Sequence, residues 1–151
     1  MAHFAKLNHL GIVIDVVVVD NDDMLDETGH ENEQTGIEFL KNWSGGHERW
    51  VQTSVNTMRN THRFGGTPLR LNYASIGGTY DKVRDAFIEW RPNNLDVILD
   101  EDNGIWLFPH HQNVPQDPED TADTYPQPNI DPTSYYDWDS TNWTWVKKAR
   151  T

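Results

Sequence analysis

The sequence predicts a mostly β protein with one short α-helix, an α+β arrangement of small hairpins continued by an extended Pro-rich arm. Three observations carry that prediction. Residues 3 to 19 read as strand, turn and strand. An apolar residue followed by Asp, with an aromatic six residues after the Asp and another apolar residue next, occurs three times in the second half. Six of the eight prolines fall between Pro109 and Pro132, where the missing amide protons exclude a central strand or a helix interior.

Taken in order, His3 to Leu7, the turn Asn8-His-Leu-Gly11 and Ile12 to Val19 form a β-hairpin. Its second strand is almost continuously β-branched, so either both of its faces are covered, the reading preferred here, or one face waits for a partner chain. Asp20 to Asp23 and Asp26 to His30 form an acidic turn region. Thr35 and Glu38 stand at capping-box spacing, and Ile37, Leu40 and Trp43 follow at helical intervals until Ser44-Gly45-Gly46 ends the helix. From Trp50 to Tyr80 the helical period disappears, and Thr, Val, Tyr and Gly indicate strands and loops.

The three copies of the Asp motif run from Tyr80-Asp81 to Phe87-Ile88, from Leu99-Asp100 to Trp106-Leu107, and from Trp138-Asp139 to Trp145-Val146. Each predicts a short hairpin whose Asp hydrogen-bonds the turn backbone that follows it and whose aromatics meet across the strands. In the middle copy Asn103-Gly104 is the expected hairpin turn. The resulting organisation is a β-rich domain over 1–90 with a helix near 35–43, a hairpin over 91–108, a Pro-rich acidic arm over 109–134 and a Trp-rich hairpin over 135–151.

Composition narrows the chemistry. The 151 residues carry 24 acidic against 12 basic side chains and no Cys. Disulfides, thiolate metal sites and Cys nucleophiles are therefore excluded, and the acidic balance argues against nucleic-acid binding, which rests on Lys and Arg neutralising phosphates. The longest apolar run, Val16 to Val19, is far below the ~20 residues of a membrane-spanning helix, so no membrane partner is expected. Met1 to Lys6 show no secretory signal pattern, which makes synthesis in a cytoplasm the default. Only 36% of residues are hydrophobic, but seven Trp, five Tyr and five Phe offer a large burial per residue.

Charge is segregated along the chain. Residues 49 to 80 hold Arg49, Arg59, Arg63 and Arg70 without an acid, while residues 92 to 146 hold eleven Asp or Glu without a Lys or Arg. Such ends can steer association between copies or with a partner, although surface charges on solvated faces are the commoner explanation of a charge run.

No constellation points to catalysis. His110 and His111 are neighbours that point to opposite faces of an extended chain, and His30, His47 and His62 lack a recognised ligand spacing. Asp100 to Gly104 resembles half a calcium loop but lacks the downstream bidentate Glu, so a hairpin turn explains it better. Gly65-Gly66 and Gly77-Gly78 are not phosphate loops, and Gly-X-Ser-X-Gly is absent. Asn42-Trp-Ser44 and Asn142-Trp-Thr144 match a glycosylation acceptor by chance in the absence of a signal peptide. No cofactor or metal is expected, and the chain is not read as an enzyme.

The stretches Ala2-His-Phe-Ala-Lys-Leu7 with its hairpin to Val19, Gly45-Gly46 before Trp50-Val-Gln-Thr-Ser54, Asn72-Tyr-Ala-Ser-Ile-Gly-Gly-Thr-Tyr-Asp81 and Asp85-Ala-Phe-Ile88 resemble a family of small structural-type proteins of marine tailed bacteriophages, of the cyanophage kind. Leu99-Asp-Glu to Trp106 and Tyr136-Asp-Trp-Asp139 to Trp145 resemble the C-terminal half of the same family. The resemblance implies a phage origin and brings no catalytic residues. Between Ser54 and Asn72 this chain departs from the family's pattern with a longer, Arg-containing loop, and the Pro-rich arm differs in length.

The expectation is a virion structural protein, first an accessory capsid decoration or cement protein that binds the major capsid protein, with a tail, neck or fibre-attachment component as the alternative and a host-glycan-binding module as a reading from another class. Self-association is a further expectation, and the expected location is the virion. The residues expected to touch a partner are Arg59, Arg63 and Arg70 in the longer loop and Pro126, Trp138, Trp143 and Trp145 in the tail. Loop arginines are often merely solvated, and the tryptophans can equally fill a core.

Overall fold

The computed structural model describes residues 1–93, 97–107, 134–139, 141, 142 and 144–149, with the backbone only of 134–136 and 138. The fold is mostly β with one α-helix. It divides into two compact units, one comprising Met1–Arg91 and Leu99–Trp106 and the other the remainder of the chain. The Pro-rich arm expected over 109–134 lies, up to residue 133, outside the described residues.

The expected N-terminal hairpin is present. Strand β1 (Ala2–Leu7) pairs antiparallel with β2 (Val13–Val19). The turn between them closes because the Asn8 carboxamide accepts from the amides of Leu10 at 2.9 Å and Ile12 at 3.0 Å, a side chain standing in for backbone. Gly11 has φ +79°, and a Cβ there would press the Tyr80 carbonyl at 3.3 Å. The second neighbour of β1 is β3 (Trp50–Thr53), giving an antiparallel sheet in the order β2-β1-β3.

Both faces of this sheet are covered, and the period of two along β1 explains how. Ala2 and Phe4 point to one side, where Val19, Met24, Leu40 and Trp50 complete a core. Ala5 and Leu7 point to the other, where Val13, Ala74 and Phe87 complete a second. The β-branched strand β2 feeds both cores, Val17 on the first side and Val16 on the second. It is nevertheless an edge strand, and the expectation that both its faces are covered holds only in part, since Ile14 and Val18 remain exposed, the latter at 53%. Opposite Lys6 and Leu7 the register shifts so that Ile14 has no partner on β1, a bulge that bends the edge.

Helix α1 spans Glu33–Trp43 and closes the first core. It starts earlier than the Thr35–Glu38 spacing predicts, because Asn32 is the cap and its carboxamide accepts from the Thr35 amide at 3.3 Å. The end falls where expected, with the amide of Gly46 donating to Lys41 O at 2.8 Å. Gly36 faces the sheet where a Cβ would lie 2.6 Å from Phe4 Cζ, so the absent side chain sets how closely the helix approaches. A short 3-10 turn, Asn21–Met24, precedes the helix and buries Met24.

Four further hairpin strands and a small protrusion belong to the first unit, apart from the end residues Ile98 and Leu107, which fall in the second. The protrusion is β4 (Thr57–Met58) paired with β5 (Thr61–His62). Strands β6 (Thr79–Asp81) and β7 (Ala86–Ile88) form the first of the expected Asp hairpins, and β8 (Ile98–Asp100) with β9 (Ile105–Leu107) the second. The third, β10 (Ser134–Asp139) with β11 (Thr144–Ala149), belongs to the second unit.

The turn chemistry is the same in all three. Asp81 Oδ1 accepts from the amides of Val83 and Arg84, Asp100 Oδ1 from Asp102 and Asn103, and Asp139 Oδ1 from Thr141 and Asn142. The other carboxylate oxygen is bound by the side chain three residues on, from Arg84, Asn103 or Asn142. Tyr80 and Phe87 meet across the first hairpin with ring centroids 5.2 Å apart, and Trp138 and Trp145 occupy facing positions in the third.

The expected two-residue turn at Asn103-Gly104 is corrected to a four-residue loop. Capture of two amides by Asp100 winds the first residues into an ordinary right-handed turn. Only the fourth then needs a positive φ, which Gly104 supplies at 65°. Asp85 holds the same position in the first hairpin at φ 50°, an unusual conformation for a residue with a Cβ.

Candidate functional site

The acid-free stretch from Arg49 to Tyr80 is the region where charge, exposure and unusual backbone meet. Its tip is the β4–β5 hairpin, joined by Arg59 and Asn60, both left-handed at φ 49° and 54°. That is the two-residue turn that matches strand twist, built without glycine. The turn is held from below by the Asn60 amide on Leu71 O at 2.8 Å and the Arg59 amide on Asn72 Oδ1 at 2.9 Å.

Asn72 is the bracket of this region. Its Nδ2 lies 3.1 Å from Phe87 O, 3.1 Å from Asn103 O and 3.0 Å from Gly104 O. One carboxamide thereby joins the protrusion, β7 and the β8–β9 loop. Sequence reasoning used Asn72 only as part of a longer motif, because a lone Asn in a Gly-rich stretch carries no signal of long-range bonding.

Of the three expected contact arginines, Arg70 is engaged inside the molecule. Its Nη1 and Nη2 donate to the two oxygens of Glu33 at 2.8 and 3.0 Å, its Nε donates to Asp85 at 2.8 Å, and Nη1 also reaches Gln52 O at 2.8 Å. The side chain is 14% exposed. Burial acts against its charge, but the carboxylates of Glu33 and Asp85 outweigh it and raise the pKa. Asp85 is held below the usual carboxylate range by the Tyr80 hydroxyl and by Arg70, against some desolvation. Burial pushes the Tyr80 phenol up, helped by Asp85.

Arg59 and Arg63 are exposed and make no ion pair among the described residues. The Arg63 guanidinium lies over the Phe64 ring, 5.2 Å from its centroid. Phe64 is itself 74% exposed, and Met58 and Val55 are exposed beside it in sequence. Two cations and three large apolar side chains thus crowd into residues 55 to 64. The apolar members went unrecognised in the sequence because they follow neither strand nor helix period.

The tail residues are less defined. Trp138 and Trp145 stand on paired strands, and the Trp145 side chain is half-buried. Pro126 and Trp143 lie outside the described residues. On β10–β11 the Lys148 ammonium pairs with Asp137 at 2.6 Å.

Histidines do not converge. His47 Nε2 is 2.8 Å from Leu7 O, His62 Nδ1 accepts from the amides of Phe64 and Gly66, and His30 Nδ1 meets the Thr28 hydroxyl. No cluster of three or more His, Asp or Glu with metal-binding geometry occurs among the described residues, and the Asp100 carboxylate is taken up by its own turn.

Two open depressions flank the main sheet. One, of about 610 Å³, is edged by His9, Glu48, Arg49, Tyr80 and Lys82, but Glu48 is tied to Lys41 at 3.0 Å. The other, of about 450 Å³, runs between β2 and α1 over Val17, Val18, Phe39 and Trp43. No helix among the described residues is long and apolar enough to cross a membrane. No protein-family model, no curated protein and no solved structure matches the chain, so a functional reading rests on these residues and their geometry.

Proposed function

We propose that the protein is a virion structural component of a tailed bacteriophage, acting as an accessory decoration or cement protein bound to the major capsid protein. The observation that carries this reading is the tip at residues 55 to 64. Phe64, Met58, Val55, Arg59 and Arg63 are all exposed within residues 55 to 64, with the Arg63 guanidinium over the Phe64 ring, and aromatic, Met and Arg side chains of this kind are the ones enriched at protein interfaces. The bracket through Asn72 presents that tip on fixed backbone, which lowers the ordering cost of binding. The motif series resembling small marine phage proteins supports the setting, and the segregated charge supports a partner surface that is acidic where it meets the tip.

The test is to mix the purified protein with capsids lacking accessory proteins, measure co-sedimentation, and locate it on particles by cryo-electron microscopy. Saturable binding that falls at least tenfold for Arg63→Glu combined with Phe64→Ser supports the reading. Density at the neck or tail in place of the shell moves the protein to the alternative position. Absence from particles together with binding on a glycan array overturns the reading in favour of a host-glycan module.

A further inference from the structure

We infer that the outer edge of β2 and the groove beside α1 form a docking site for an extended peptide segment that carries cations at both ends and an apolar side chain between them. The inference stands apart from the virion reading, since it uses a different surface.

The geometry begins with the direction of the amides. The Leu7 amide donates to Arg49 O on the β3 side of β1, so by alternation His3 and Ala5 also face β3 and Phe4 and Lys6 face β2. Their partners on β2 are Val17 and Asp15. Val16 and Val18 therefore turn their N–H and C=O groups outward. Val13, further along, is already bonded to Gly77 and Gly78, and the Ile14 bulge limits the edge left open among the described residues to Asp15–Val19. That is room for one short strand of about five residues.

The Val16 amide is held by its neighbour's side chain, with Asp15 Oδ1 at 2.8 Å. A carboxylate laid on an open edge occupies a free donor and repels anionic strands. When a strand carbonyl replaces it, the carboxylate is released to pair with a cation. On the same side of β2, Val17 borders the groove over Phe39, Leu40 and Trp43, and Asp20 and Asp23 line its far end. Trp43 is 65% exposed. An incoming strand opposite Asp15, Val17 and Val19 thus meets acid, apolar groove and acid at alternate positions. The matching sequence is cation-x-apolar-x-cation, with main-chain bonds giving affinity and alternate side chains giving selection. The acidic arm of residues 109 to 133 has the wrong charge for this site.

The probe is acetyl-Lys-Thr-Leu-Thr-Lys-amide, compared with acetyl-Glu-Thr-Leu-Thr-Glu-amide and acetyl-Lys-Thr-Lys-Thr-Lys-amide, each titrated into the full chain. Expected is saturable binding of the first, slower amide exchange at Val16 and Val18, at least tenfold weaker binding of the other two, and loss of affinity with added salt. Val16→Pro removes an outward donor that β1 does not use and should abolish binding while circular dichroism is unchanged. Trp43→Ser, at an exposed position, should weaken it separately. Equal binding of the glutamate peptide, or binding unaffected by both variants, overturns the inference. A dimer that Val16→Pro dissociates, with no binding of the lysine peptide, would overturn it in favour of a second copy on this edge.

Discussion

Arg70 and Arg63 lie seven residues apart in one acid-free stretch and have opposite fates. Arg70 lies along the outer edge of β3 and makes four hydrogen bonds to three residues, whereas Arg63 rests on an exposed ring at the tip. The difference teaches that a run of like charge does not describe one surface. Part of this stretch is interior wiring that ties α1, β3 and the β6–β7 hairpin together, and part is presented outward. Three-dimensional placement of the acids decides which. Glu33 and Asp85 come from outside the run and reach Arg70 only through the fold.

The contrast is broken most strongly at Arg70. Arg70→Ala leaves the half-buried Glu33 carboxylate with the Gln52 amide but without its cation, removes the side-chain donor to Gln52 O, and should cost about 2–3 kcal/mol, placed below the usual range for buried pairs because Glu33 is partly wet and keeps that amide. The midpoint of thermal unfolding should fall by about 6–10 °C, whereas Arg63→Ala should stay within ~0.5 kcal/mol of the parent. Equal losses would mean that the tip is also structural.

A smaller effect is expected at Asn72. Asn72→Ala leaves the Arg59 amide and three carbonyls without their shared partner and should cost about 1–2 kcal/mol. Hydrogen exchange should accelerate in residues 57–62 and 99–106 together, because one side chain serves both. Acceleration in only one of the two would show that the bracket is not shared.

Acid should loosen the Arg70 wiring before it touches the tip. The folded pKa of Asp85 lies below its ordinary value, so its stabilising effect is complete above about pH 4 and is lost as pH falls through the lowered value. Asp81 behaves alike, held down first by the Arg84 backbone amide. In Asp85→Asn the acid limb of a stability–pH curve should be shallower, while Arg63→Ala should leave its shape unchanged. The smallest effect is expected for Asp100→Ala, under about 1 kcal/mol, because that turn keeps Gly104 at the position requiring a positive φ.

Much of the local structure was legible. The alternation over residues 3 to 19, the stop at Ser44-Gly45-Gly46 and the three Asp hairpins are each organised by a turn or cap whose bonds span about six residues or fewer, where spacing and side-chain chemistry are sufficient. The errors are local competitions that spacing alone does not rank. Asn32 displaced Thr35 as the helix cap because its carboxamide accepts from the Thr35 amide and lets the helix begin at Glu33, two residues before Thr35. Asp100 displaced Asn103-Gly104 as the organiser of its loop because a carboxylate captures two amides at once. Of the expected contact residues, Arg59 and Arg63 are found exposed, Arg70 is found paired, and the Phe64 and Met58 that accompany the exposed pair carried no periodic signal.

By itself the sequence determined the fold class, the hairpin positions, the helix end and the segregation of charge, because each depends on backbone propensity or on neighbours along the chain. The tertiary structure alone decided which arginine is wiring and which is surface, that Asn72 joins three loops, and that a β-branched strand lies at the edge of a sheet. Those outcomes depend on partners twelve to forty residues away. No local rule selects such partners, and only the packing of two cores against opposite faces of one small sheet brings them together.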